Sequence, residues 1–113
     1  MSEEITLDGI GVAPGVLETI ATVATQSVEG VAGIPGSGLA GLVQKGASRG
    51  VVVELDEDGS LKVAVRIQVA YGRPMHEIAG AVQRAVTDAL LTHTGQAIAA
   101  VDVFVDGVVF PEQ

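Results

Sequence analysis

The sequence predicts an α+β domain in which two amphipathic helices lie on one face of a small mixed sheet. Three observations carry this. Apolar residues recur at helical spacing in two stretches, 16–28 and 75–90. They alternate with polar residues from Leu61 to Tyr71. Proline and glycine punctuate the blocks, and the resulting order is αββαβ, with the helices segregated from a three-stranded sheet.

Each element follows from local chemistry. Ile5 to Val12 reads as a short additional N-terminal strand or as a tail. Pro14 opens the first helix, where its missing N–H is not needed. Val16, Leu17, Ile20, Ala21, Val23, Ala24 and Val28 fall on one arc of that helix, and Glu18, Thr22, Thr25 and Gln26 on the other. Gly30 is its expected stop. The segment from Gly30 to Gly50 holds seven glycines and Pro35, so we expect a flexible loop with one weak helical turn at Leu39 to Gln44.

Val51 to Leu55 and Leu61 to Tyr71 then form a hairpin. A three-residue loop, Glu57-Asp58-Gly59, sets Val53 opposite Val63 and Glu54 opposite Lys62, which keeps apolar residues on one face. That loop needs Gly59 in the left-handed region. Pro74 opens a second helix that runs to about Thr94, closed by Gly95, with Met75, Ile78, Val82, Val86 and Leu90 in its apolar stripe. Ile98 to Val109 is the last strand, and Val101, Val103 and Val105 share its inner face.

Composition narrows the function. The chain of 113 residues fits one domain, residues 1–113, with one aliphatic core and no tryptophan. Six basic residues against 14 acidic ones give a formal net charge of −8. That sign opposes nucleic acid, which a basic surface must neutralise, and anionic lipid. There is no cysteine, hence no disulfide, thiolate metal site or cysteine nucleophile. Residues 1–8 lack the basic-then-apolar pattern of a signal peptide, and no apolar run approaches a membrane span. We therefore expect a cytoplasmic protein that does not insert into membrane directly.

Several motifs match only in letters. Gly36-Ser37-Gly38-Leu39-Ala40-Gly41 spells a dinucleotide fingerprint, but Pro35 precedes it and no crossover helix fits before Gly50. Gly38-Leu39-Ala40-Gly41 also spells the GxxG of KH modules, and the order αββα leaves a KH-like RNA-binding module as the alternative function. His76-Glu77 begins a zinc-protease motif, but Gly80 stands in place of the second histidine. We expect no catalytic residues, no cofactor and no metal.

One group invites a functional reading. Strand parity puts Phe104 on the face opposite Val101, Val103 and Val105, with Asp102 and Asp106 two residues to either side. The same parity puts Lys62 and Arg66 on that face. An aromatic ringed by mixed charge is the composition of an interface core and rim. We expect these five residues to form an interaction surface.

The ordered segments also resemble a known family. They are Val12-Ala13-Pro14-Gly15-Val16-Leu17-Glu18-Thr19-Ile20-Ala21, Val28-Glu29-Gly30-Val31, Gly50-Val51-Val52-Val53 and Val69-Ala70-Tyr71-Gly72. Further along come Ile78, Val82-Gln83, Val86, Thr94-Gly95 and Val101-Asp102-Val103-Phe104-Val105-Asp106-Gly107-Val108. Their order and spacing resemble the bacterial alkaline shock protein family over roughly residues 5 to 110, with Phe104 departing from the polar residue common there. The resemblance implies a non-catalytic protein of envelope stress response and homeostasis. It would act by self-association or by binding a membrane-anchored protein of the same family, which would hold it at the inner face of the membrane.

Overall fold

The computed structural model describes residues 5–7, 10–34 and 50–110. Along the chain these form β1 (Ile5–Leu7), β2 (Ile10–Val12), α1 (Pro14–Gln26), β3 (Val31–Gly33), β4 (Val51–Leu55), β5 (Leu61–Ala70), α2 (Met75–Thr94) and β6 (Ile98–Val109). The architecture is the expected α+β one.

Strand β5 is the centre of the main sheet. On one edge it pairs β6 in parallel along its whole length, from Leu61 to Ala70. On its other edge it pairs β4 antiparallel over Leu61 to Val65, and further along it pairs β3 antiparallel at Gln68 and Val69. The sheet is therefore mixed and three strands wide, with β3 and β4 end to end on one side. Parallel neighbours need a crossover, and α2 supplies it.

Strand β3 corrects one expectation. The glycine-rich segment does not begin as loop at Gly30: Val31 faces Val69 and Gly33 faces Gln68 in a short ladder, and Ile34 is buried. Val31 and Ile34 supply apolar surface that the glycine count conceals. The weak helical turn expected at 39–44, and the glycine motifs at 36–41, lie outside the described residues. The N-terminal strand is resolved into β1 and β2, an antiparallel pair that makes a sheet of its own.

Both helices cover one face. α1 packs on β3, β4 and α2, and α2 packs on β6. Every odd residue of β5 from Leu61 to Val69 is buried beneath them. Val51, Val53 and Val101 join from the flanking strands, and Ile78, Val82, Val86 and Leu90 come down from α2. Met75, at the first turn of α2, stays outside with 52% of its surface open.

The buried stripe of α1 is Leu17, Ala21 and Thr25, a strict four-residue spacing. This turns the helix away from the expected arc and leaves Val16 and Val23 exposed. Thr25 is tolerated in the core because its hydroxyl donates to the carbonyl of Ala21 at 2.8 Å, so that hydroxyl is not buried unpaired. The helix ends at Gln26, ahead of Gly30. Gly30 instead bends the chain into β3 with φ +99, and a Cβ there would stand 2.8 Å from Ile78 Cδ1.

The β4–β5 hairpin has the expected register, with Val53 facing Val63 and Glu54 facing Lys62. Gly59 sits at φ +90. The Ser60 hydroxyl donates to Asp58 Oδ1 at 2.6 Å, and the Ser60 N–H donates to the same oxygen at 3.0 Å. These bonds favour the charged form and hold the Asp58 carboxyl below its usual range. At the far end of α2, Gly95 takes φ +73 and donates to the carbonyl of Leu91 at 2.8 Å, a left-handed stop that returns the chain to β6.

Candidate interaction face

The even residues of β5 point away from the helices: Lys62, Ala64, Arg66, Gln68 and Ala70. Parallel register then decides their neighbours on β6. Ala64 faces Asp102 and Arg66 faces Phe104. On the other side Lys62 faces Glu54. The structure thus brings Phe104, Arg66, Lys62, Asp102 and Asp106 onto one uncovered face, where strand parity had placed them.

Asp106 lies at a break in the ladder. Ile67 faces Val105, but Gln68 faces Gly107, so Asp106 is an extra residue of β6. Such a bulge re-aims a side chain. Asp106 Oδ1 accepts a hydrogen bond from Arg66 Nη1 at 3.0 Å. The Arg66 guanidinium carbon lies 5.1 Å from the centre of the Phe104 ring, within cation–π range. One arginine therefore contacts both an aromatic and a carboxylate.

Phe104 keeps 46% of its surface open. An open groove runs beside it, lined by Val52, Glu54, Lys62, Ala64 and Arg66. Its floor is small and apolar and its walls carry both signs of charge. Lys62 and Asp102 have no ion-pair partner among the described residues. These features suit a protein surface of mixed charge better than a small molecule, since the groove is open along its length.

Other chemistry is sparse among the described residues. No group of three or more His, Asp or Glu could hold a metal ion. His76 and His93 are both exposed on α2. One feature escaped sequence reasoning: Tyr71 and Phe110 stack with ring centres 4.7 Å apart at the end of β5 and β6, and both are more than 60% exposed. Their meeting depends on the parallel register and its bulge, which no local pattern encodes.

Comparison with known proteins agrees with this architecture. No curated protein matches the chain. Among solved structures, a doubly substituted form of the MamM CTD superposes with a TM-score of 0.51 at 14% identity, covering 82% of this chain and 90% of that one. A singly substituted form gives 0.50 at 14% identity, covering 82% and 93%. A nickel form gives 0.50 at 14% identity, covering 82% and 96%. At this identity the likeness is one of fold. A family model of cell envelope-related function matches residues 2–110, nearly the whole chain, and the chain belongs to that family, the alkaline shock protein 23 family.

Proposed function

We propose that this protein is a non-catalytic interaction module of cell-envelope stress response and homeostasis. It docks on protein surfaces through the open face of its sheet. The observation that carries this is Phe104: a half-exposed aromatic, contacted by Arg66 and surrounded by charges of both signs on an uncovered sheet face. Holding an exposed aromatic in one orientation lowers the entropy lost when a partner covers it. The partner is a second copy or a membrane-anchored protein of the same family. No described helix is long and apolar enough to cross a membrane, so such a partner would supply the membrane contact.

A photo-crosslinking amino acid placed at Phe104 tests the reading in the native host. Discrete protein adducts should form from position 104 and not from Asp88, which is exposed on α2. Adducts from position 88 with none from 104 would move the docking surface to the helices and overturn the proposal.

A further inference from the structure

The layout of charge on the open face identifies its occupant. Three strands run side by side there. The outer two carry acids on this face, Glu54 on β4 and Asp102 and Asp106 on β6, while the central β5 carries Lys62 and Arg66. Two bases against three acids leave a net −1 on a face of a chain that carries −8. A second copy, itself strongly acidic, meets less repulsion here than the average over its surface would give. The columns also complement each other: an acidic column lies one strand spacing, about 4.8 Å, from a basic one.

Resting on the docking reading above, we infer that the occupant is a second copy of this chain, packed sheet to sheet about a two-fold axis that runs along the strands between β5 and β6. This axis carries β6 of each copy over β5 of the other at the same height. Arg66 and Phe104 are register partners within one copy. Across the axis, Arg66 then lies over Phe104 of the second copy, between that copy's Asp102 and Asp106. The constellation seen within one chain is repeated between chains, twice. Aligned sheets pack in this way at about 10 Å separation and within about 30°.

The size of the face sets the strength. Across this axis only β5 and β6 of each copy overlap, about 10 Å wide, over ten residues or about 33 Å. The pair therefore buries about 630 Å² in total, below the usual size for stable association, and the dimer is weak and concentration-dependent. Pairing through the free edge of β6 is less favourable. A two-fold pairing about Phe104 would set Asp102 against Asp106 of the second copy, like charge against like. In addition, α2 already reaches that strand, since Gln83 Nε2 donates to the Val101 carbonyl at 3.0 Å.

A charge-exchange experiment tests the arrangement by sedimentation velocity on the full chain, between about 1 µM and about 1 mM, the range of weak association. One variant is R66D; the other carries D102R and D106R. Each alone should associate at least tenfold more weakly than the parent, because like charges now meet across the axis. Mixed in equal amounts they should recover association. The new carboxylate at position 66 of one variant then lies between the new guanidinium groups at positions 102 and 106 of the other. Thermal melts establish that both variants fold. Weakening of each variant without recovery in the mixture would overturn this geometry. Parent-like association of either variant alone would place the contact elsewhere. A parent that stays monomeric throughout, while position 104 crosslinks to a different protein in cells, would overturn the second-copy inference and leave the docking function standing.

Discussion

Replacing Phe104 by alanine separates an interface anchor from a structural residue, and the structure gives the size of both effects. A phenylalanine encloses on the order of 200 Å² when fully buried. With 46% of Phe104 open, about 90 Å² remains for a partner to cover, which at about 25 cal/mol per Å² contributes about 2.3 kcal/mol to binding. Each Phe104 lost should therefore weaken association about fifty-fold, and in a two-fold pair both copies lose it. Stability should fall by less. The variant loses the Arg66 contact, worth about 0.5–1 kcal/mol at an exposed site, and some of the strand preference of an aromatic, on a scale about 1 kcal/mol wide. A loss of about 1.5 kcal/mol lowers Tm by roughly 6–10 °C in a domain of this size. Sedimentation velocity reads the first effect and a thermal melt the second. Unchanged association with a lowered Tm would refute the anchor role. A fall in Tm beyond about 20 °C, well above what these terms supply, would place Phe104 in the core and refute the parity argument.

Three further outcomes follow from the geometry. Gly30→Ala adds a Cβ 2.8 Å from the buried Ile78 at φ +99, and should cost about 3 kcal/mol in urea unfolding, whereas Gly59→Ala, at φ +90 with nothing within 4 Å, should cost about 1–2 kcal/mol; equal costs would contradict the close approach at Gly30. Ser60→Ala removes the leading cause of the lowered Asp58 pKa, so the carboxyl should titrate at higher pH by NMR. A folded pKa below the unfolded one stabilises above the unfolded value and is lost as pH falls through the folded value, so the variant should show a shallower acid loss, and an unmoved titration would contradict the assignment. Finally, single-stranded RNA at low salt should not bind more tightly than about 1 µM, given the charge of −8; tighter binding would revive the KH-like alternative.

Much of this was legible in the sequence because it rests on local rules. The hairpin register followed from keeping Val53 and Val63 on one side, and the limits of β6 from its alternation. The ends of α2 followed from Pro74 and Gly95. The open face was legible because parity needs only a strand and a buried side. What local rules could not give was long-range. Strand β3 is three residues long and forms only because β5 extends past β4 and offers a free edge there. Thr25 reads as polar until the bond to Ala21 is counted. The rotation of α1, which exposes Val16 and Val23, is set by its packing against α2 and β4 rather than by its own periodicity. The bulge at Asp106 is a property of the pairing of two strands, not of either sequence.

Hydroxyl-radical footprinting of the protein inside cells, compared with dilute purified protein, tests open-face docking most directly. Phe104 is 46% exposed, while Tyr71 and Met75, away from that face, are 62% and 52% exposed, so all three should react in the dilute protein. In cells Phe104 should become protected while Tyr71 and Met75 keep their reactivity. Protection of Tyr71 or Met75 with Phe104 still reactive would contradict open-face docking.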